Sequence, residues 1–510
     1  MKKTLFLGID VGTTGLKALL VDETGRVIDQ ATQEYPLLAP RPLWLEQNPA
    51  DWWSAAVKTL RLISGRQKLR GNLLSIGLTG QMHGSVFLDR EGNVIRPAIL
   101  WCDQRTGAEV KEIEKLVGKK RINQITGNPV FTGFTAPKIL WLRKNEPAAY
   151  QKIAKILLPK DYLRYRLTGE FASEVTDNSG TSLFNVETRK WSPEILKKLQ
   201  INPGWLAPVF ESPDITGKIT AETANSTGLP SGTPVVASAG DQAASGCGNG
   251  VVSNGIISAT LGTSGVVFAF SDKVLKDSAG RIHTMCHAVP GTWHLMAVSL
   301  SSGGSLRWFR DNFCREEISE AKIKDTDPYE IMTAAAAKIS TGSEGLLFLP
   351  YLTGERTPHA NPLARAIFFG ATSRHTKAHF IRAILEGVTF GLRDGIEIME
   401  NLGLPIRQVR ISGGGARSDL WCQIMADIFG KELVRTENPD TTALGSAILA
   451  AAGVKYFKNV PEACHRMVRT REVFRPDKKN NKIYNQIYGI FQKLYPSVAP
   501  FFDSVAKLRL

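Results

Sequence analysis

The sequence predicts an α/β protein built from two related domains. A glycine turn that occurs twice, strand-like runs that alternate with helical patterns, and the length of the chain all point that way. Near the N-terminus the run Thr4–Asp10 leads into Val11-Gly12-Thr13-Thr14-Gly15 and then an apolar stretch, Leu16–Val21. Much later Gly255–Thr260 leads into Leu261-Gly262-Thr263-Ser264-Gly265 and then Val266–Phe270. The two align without a gap, with Asp10 against Thr260. Each reads as strand, tight turn, strand. Repetition in the two halves suggests related domains facing each other. Two such turns, with exposed amides and hydroxyls, are suited to gripping one phosphate chain from both sides. At 510 residues the chain exceeds the size at which one core stops growing, so about two to four domains is the prior.

Taken in order, strands are expected at Thr4–Asp10, Leu16–Asp22 and Val27–Tyr35, the last two separated by the turn Asp22-Glu23-Thr24-Gly25. A Pro-rich loop leads to a helix from Pro49 through Ile63. Leu73–Leu78 reads as a buried strand ending at Thr79-Gly80-Gln81-Met82-His83-Gly84, and ligand-binding residues often sit at such strand ends. Helical patterns follow at Ala108–Leu116 and Pro137–Lys144. Pro230–Pro234 is a turn before a strand, Val235–Ala239, that ends in Gly240-Asp241-Gln242. The domain boundary is expected near Gly246–Gly255, dividing the chain into 1–248 and 249–510. Beyond it come a long helix, Lys377–Leu402, and a strand entering Ser412-Gly413-Gly414-Gly415-Ala416, with a helix through Phe429. A small-residue helix opens at Ala443–Ala447. Ile483, Ile487, Ile490, Phe491 and Leu494 recur at helical spacing and predict a packing helix.

Composition narrows the class. Hydrophobic residues make up 43% and charged residues 22%, ordinary for a soluble globular protein. No apolar run reaches about eighteen residues, which argues against a membrane span. Met1-Lys2-Lys3 followed by Thr4–Ile9 imitates a signal peptide, but Asp10 and the glycines cut the apolar run short, and a first buried strand is the better reading. The six cysteines are scattered without a Cys-x-x-Cys pair, which suits a reducing cytoplasm and disfavours a disulfide framework or structural zinc. The net charge of +15 would attract a phosphorylated anion. The basic residues are spread out, no Arg/Lys-aromatic recognition module appears, and nucleic acid is not the expected partner.

The first glycine turn is the leading candidate for chemistry. Glycines let backbone approach phosphates and the hydroxyls of Thr13 and Thr14 add donors. A carboxylate beside them repels phosphate unless a cation intervenes, so Asp10 suggests Mg²⁺, directly or through water. A plain hairpin turn explains one such sequence equally well; the second copy favours phosphate. The P-loop pattern and the dinucleotide fingerprint are both absent, so if ATP binds, another fold holds it. Asp241, at a predicted strand end, could deprotonate a hydroxyl attacking a phosphoryl group; a turn or cap aspartate is the blander alternative. Gln81 and His83 can hydrogen-bond hydroxyls, with Met82 an apolar wall, although a packed core pair is the default. Trp101 to Arg105 offers an aromatic platform with polar groups, or a buried tryptophan with a surface ion pair. His283, Cys286 and His287 resemble a metal cluster but lack a recognisable zinc motif. No G-x-S-x-G elbow is present, which disfavours a serine hydrolase.

Together these segments resemble the FGGY family of carbohydrate kinases, and within it the xylulokinase branch, over nearly the whole chain. Gly8–Gly15 resembles the family's first phosphate loop and Gly133–Leu142 a family signature segment. Leu78–Gly84, Pro42–Gln47, Leu100–Asp103 and Leu352-Thr353-Gly354-Glu355-Arg356-Thr357-Pro358 are typical of the branch, and they fall in the family's order. The resemblance implies two ribonuclease-H-like domains of the actin/hexokinase type with a cleft between them, sugar on the N-terminal side and ATP on the C-terminal side. It implies Asp241 as general base and Asp10 as organiser of Mg²⁺–ATP. Gln81, Met82 and His83 would serve the sugar, with Trp101, Asp103 and Gln242 as neighbours. Gly12, Thr13 and Thr14 would form one phosphate loop and Gly262, Thr263 and Ser264 the other. Gly413, Gly414 and Ser418 would lie near the nucleotide, with Trp308. The expected reaction is phosphorylation of D-xylulose at its 5-hydroxyl by ATP in a cytoplasmic enzyme, and dimers common in the family imply a homodimer. Gln242 departs from the branch's usual Asn. That keeps open a kinase for another ketopentose or polyol such as ribulose or a sugar alcohol. A catalytically weak sugar sensor would lack Asp241 or Asp10, and both are present.

Overall fold

In the computed structural model, which describes residues 3–508, the chain forms two compact units. The first holds the described residues up to Ser253 with Phe270–His294 and Asp440–Arg469. The second holds Asn254–Ala269, Leu295–Pro439 and the described residues from Thr470 on. The expected division at 248/249 follows the chain, whereas the compact units interleave. Met1 and Lys2 of the signal-like start lie outside the described residues; the apolar run after them is the buried strand Leu5–Val11.

The first unit is built on a six-stranded sheet. Its spatial order is Ile215–Lys218, Pro234–Val236, Leu73–Gly80, Leu5–Val11, Gly15–Asp22 and Val27–Glu34. Leu5–Val11, Gly15–Asp22 and Val27–Glu34 form an antiparallel meander. Leu73–Gly80 lies parallel to Leu5–Val11, and Pro234–Val236 parallel to Leu73–Gly80. Side chains of the first strand alternate between two cores. Leu5, Leu7 and Ile9 join Trp52, Leu60 and Ile63 of the helix Pro49–Arg66, while Phe6 joins Leu19, Ala447 and Ile448. Burial on both faces explains why this strand reads as an unbroken apolar run. The helix Pro49–Arg66 starts where Asn48 accepts a hydrogen bond from the Ala50 N–H, with Pro49 opening the first turn.

The helix Thr441–Gly453 belongs to this unit because its small residues permit backbone-close packing. A Cβ on Gly8 would stand 1.9 Å from the Ala443 carbonyl oxygen, and one on Gly77 would stand 2.1 Å from that of Ser446. Against the helix Asp241–Gly248, a Cβ on Gly248 or on Gly445 would meet a facing carbonyl oxygen at 1.8 Å. Side chains have no room at these four points. Gly8→Val is expected to lower stability by about 3 kcal/mol or more through forced backbone displacement. Urea unfolding checks this, and an unchanged midpoint would contradict it.

The second unit repeats the plan. The order Trp293–Ser299, Gly265–Ser271, Gly255–Leu261, Ile406–Ser412, Glu432–Thr436, Thr470–Phe474 runs through its sheet. Gly255–Leu261 and Gly265–Ser271 form the hairpin, and Ile406–Ser412 lies parallel to the first of them, with Glu432–Thr436 parallel beyond. In both units the glycine hairpin is followed by a third strand beside its second arm and by two parallel strands on the other side. Asp10 sits in register with Thr79 and Thr260 with Ser412, so the equivalence seen in sequence is one of position in the fold.

The helix Lys478–Ala506 packs through part of the expected stripe, with Ile483 and Ile487 half-buried, and through two tyrosines beside it. Tyr484, Tyr488, Phe491 and Leu494 are buried while Ile490 is exposed. Tyrosines serve because their hydroxyls find buried carboxylates: Tyr484 donates to Glu386 at 2.7 Å and Tyr488 to Asp394 at 2.6 Å. No described helix is long and apolar enough to cross a membrane.

Candidate active site

Two carboxylates stand at strand ends of the first unit. Asp10 is the penultimate residue of Leu5–Val11, and Asp241 opens the helix Asp241–Gly248 just after Pro234–Val236. Burial, then the Asp241 charge, pushes the Asp10 carboxyl up to about 7, with Lys17 pulling the other way. Lys17 is itself paired with Asp440 at 2.5 Å. Burial pushes Asp241 up to about 6 while hydrogen bonds from Gln242 hold it down. A carboxyl near 6 is poised to take a proton near neutral pH.

Among the described residues, Asp10 Oδ1 is buried and lacks a hydrogen-bond partner. An unsatisfied carboxylate oxygen that feels a second carboxylate is a fit for a divalent cation. No cluster of three or more His, Cys, Asp or Glu among the described residues could hold a metal. A cation here would therefore depend on one or two carboxylates completed by water and phosphate oxygens, the coordination Mg²⁺ favours. The three residues resembling a zinc cluster are otherwise engaged. His283 bonds Asn128 at 2.8 Å, the Cys286 thiol faces the Val186 carbonyl, and His287 bonds the Val251 carbonyl at 3.0 Å.

The first glycine turn is braced from below. The Gln81 amide donates to Gln47 at 2.8 Å and to the Gly12 carbonyl at 3.4 Å, and its oxygen accepts from the Thr13 hydroxyl at 3.3 Å. Gln47 donates to the Thr13 carbonyl at 2.6 Å, and Tyr35 donates its hydroxyl to the Gly12 carbonyl at 2.5 Å. Gln81 is 2% exposed; it holds the loop, and its polar atoms are already used. Thr14, by contrast, is exposed at the tip. Met82 lies against Gly240, where a Cβ would come within 2.8 Å of its side chain. The ring of His83 leans on Phe134 at 4.6 Å, and Gly180 leaves the space that ring fills. The His83 carbonyl accepts from buried Lys138 at 2.8 Å and from Thr135 at 3.2 Å, and its N–H donates to Asp177 at 3.3 Å. So Met82 adjoins the residue preceding Asp241, and His83 is fixed through its backbone.

Trp101 and Asp103 reverse the pattern expected for a buried tryptophan and a surface ion pair. Trp101 is 46% exposed and donates from its indole to the Thr13 hydroxyl at 3.0 Å. Asp103 is fully buried, accepts from the Leu45 N–H at 2.7 Å and takes the Arg105 guanidinium on both oxygens. These contacts anchor the loop before Pro49.

The second unit carries a cavity of about 420 Å³, within the range of small-molecule sites. Of the expected residues, Gly262, Thr263, Gly414 and Ser418 line it. Ser418 also caps the helix Asp419–Phe429. Gly413, Ser264 and Trp308 are not in its lining. Gly413 supports the wall instead: at φ 87° it passes so near Leu261 that a Cβ would stand 2.5 Å from the Leu261 carbonyl oxygen. Trp308 packs on Phe313, ring centroids 5.4 Å apart.

Compared with known proteins, residues 5–248 match the FGGY family of carbohydrate kinases, N-terminal domain, and residues 257–454 match the C-terminal domain of the same family. The chain belongs to the FGGY family of carbohydrate kinases. It is similar to the xylulose kinase of Escherichia coli (strain K12), 38% identical over 97% of this chain and 99% of that one. It is also similar to the gluconokinase of Bacillus subtilis (strain 168), 32% identical over 96% and 95% of the two chains. The crystal structure of xylulose kinase from Rhodospirillum rubrum superposes with a TM-score of 0.91 at 30% identity, covering 98% of this chain and 100% of that one. The protein is thus an ATP-dependent sugar kinase with the two-domain α/β fold of its family.

Several residues that line the cavity of this FGGY protein escape motif reading. Gly303, Gly304, Arg307, Tyr329, Arg417 and Trp421 line the cavity, yet only the run Ser301-Ser302-Gly303-Gly304 before a helix carries a local signal. Gln47 and Lys138 fall within segments that carry the family resemblance, but their roles as braces depend on partners distant in sequence.

Proposed function

We propose that this kinase transfers the γ-phosphoryl group of ATP to the 5-hydroxyl of D-xylulose, in the cytoplasm, giving D-xylulose 5-phosphate and ADP. Residues 1–248 serve the sugar and 249–510 the nucleotide. The observation that carries the mechanism is the pair of carboxylates at strand ends, Asp10 with a buried oxygen that lacks a hydrogen-bond partner and Asp241 at the start of its helix, both pushed up by burial. Asp241 accepts the proton of the attacking hydroxyl. Met82, His83 and Gln242 orient the sugar, with Trp101 at its edge. The turns at Gly12–Thr14 and Gly262–Thr263 face phosphates with amides and hydroxyls, and Gly414 and Ser418 bound the nucleotide. Asp10 would hold Mg²⁺, directly or through water, and the ion when bound would offset charge on the phosphates. In a loose phosphoryl-transfer transition state, such positioning and charge neutralisation supply most of the acceleration.

Similarity to xylulose kinases over nearly the full chain supports D-xylulose. The choice of sugar is expected to turn on Gln242, with its longer amide, and a gluconokinase among the relatives makes gluconate the competitor to test. The test is ADP release from Mg²⁺–ATP with D-xylulose, L-xylulose, ribulose, gluconate, glycerol and sugar alcohols, against a no-sugar control. D-xylulose is expected to give the highest kcat/KM. A higher value for gluconate or a polyol would move the substrate and keep the mechanism.

A further inference from the structure

The segment Leu352–Pro358 has no part in the site described so far, although Glu355 is buried at its centre. One Glu355 carboxylate oxygen accepts from the Leu300 N–H at 3.0 Å and the Arg356 N–H at 2.7 Å; the other accepts from the Ser299 hydroxyl at 2.9 Å. Backbone bonds flank this contact. The Thr357 N–H donates to the Val298 carbonyl at 3.0 Å, and the Val298 N–H donates to the Thr357 hydroxyl at 3.1 Å. The end of the strand Trp293–Ser299 is thereby clamped. Three residues beyond Ser299 the chain reaches the second glycine turn. Ser302 and Gly304 donate their N–H groups to the Thr263 carbonyl at 2.9 and 3.0 Å, and Gly303 donates to the Gly262 carbonyl at 2.9 Å. The fit allows no slack: a Cβ on Gly303 would stand 2.5 Å from the Gly262 oxygen, and one on Gly265 would stand 2.3 Å from Ser302 Oγ. Gly262, Thr263, Gly303 and Gly304 all line the cavity.

We propose that Glu355 is a positioning residue for the nucleotide, fixing Ser299 and Leu300 so that the following segment holds the Gly262–Thr263 turn in its phosphate-binding shape. This rests on the assignment of the cavity to the nucleotide. Glu355 acts by accepting hydrogen bonds. A glutamine retains them all, because its oxygen serves the two N–H groups and its amide can donate to the Ser299 hydroxyl, which accepts as readily as it donates. Burial, which pushes the Glu355 carboxyl up to about 7, makes a neutral amide a close substitute.

The experiment is calorimetric titration of the full-length protein with ADP, which needs no sugar. Glu355→Ala is expected to raise the ADP Kd about tenfold or more, the scale of one or more lost buried hydrogen bonds. Glu355→Gln is expected to remain within about threefold of wild type by the same reasoning. Gly414→Phe provides the control, since Gly414 lines the cavity and has open space where a side chain would go; it is expected to abolish binding. If Gly414→Phe abolishes binding but folded Glu355→Ala binds ADP like wild type, or Glu355→Gln is as weak as Glu355→Ala, the positioning role is overturned alone. Wild-type binding by Gly414→Phe overturns the cavity assignment and the proposal with it. Should Glu355→Ala not fold, Ser299→Ala removes one bond and is expected to weaken ADP about two- to fivefold; unchanged affinity there also overturns the proposal.

Discussion

Replacing Asp241 by Asn is expected to cut turnover by about 10²–10⁴, the usual contribution of a general base, while sugar affinity and the fold survive. Asparagine matches the carboxylate in size and suits the first turn of the helix Asp241–Gly248, but it cannot accept the hydroxyl proton. The pH dependence gives an independent check. Asp241 works only as carboxylate, and burial sets its pKa at about 6. Asp10 must be ionised as well, at about 7, so activity in the wild type falls as pH drops through about 7 to 6; Asp241→Asn removes the Asp241 part of that acid limb, and what remains is set by Asp10. Single-turnover rates across pH, with sugar binding followed by calorimetry, separate the two effects. Turnover of Asp241→Asn near the wild-type value would remove Asp241 from its role.

Asp10→Asn is expected to act in opposite directions on activity and stability. Loss of the carboxylate that organises the phosphates and their cation should lower turnover by about 10² or more, the scale of a lost electrostatic contact in a transition state. Stability should rise at alkaline pH. The Asp10 pKa is raised by burial and by Asp241 to about 7 from 3.8, so the folded state favours the protonated form. That favourable contribution is present below pH 3.8 and is lost as pH climbs to about 7. At about pH 8 the wild type carries a buried charge that asparagine lacks, and without Mg²⁺ and nucleotide the variant should melt at the higher temperature. At about pH 4 the protonated acid and the amide are nearly equivalent, so the difference should shrink. Thermal melts at the two pH values decide it, and a lower melting temperature for Asp10→Asn on the alkaline side would contradict the account.

The parts of this molecule written in local chemistry are readable from sequence. Both glycine hairpins are, because a short Gly-Thr-rich turn stands between two apolar runs. The strand that carries Asp10 and the strand from Leu73 are too, and so is Asp241 as a carboxylate beside a strand end. What sequence does not supply is the partner of each residue. Asp103 looks like a free carboxylate until Arg105 and the Leu45 N–H are seen to consume it. The bonds of Gln81 to Gln47, Gly12 and Thr13, which brace the glycine turn, cannot be read from its motif. The helix Thr441–Gly453 is distant in sequence from the first unit, and only the bare backbones at Gly8 and Gly77 show why it packs there. Tyr484 and Tyr488 do not read as core residues, because their hydroxyls need carboxylates that lie 98 and 94 residues away in sequence.

The most direct test of the central claim is a competition between equimolar D-xylulose and D-gluconate for limiting Mg²⁺–ATP, with the products identified by ³¹P–¹H correlation spectroscopy. The account predicts one phosphomonoester for each ADP, on the 5-hydroxyl of D-xylulose. Phosphate appearing chiefly on gluconate, or ADP accumulating without a phosphorylated sugar, would contradict it.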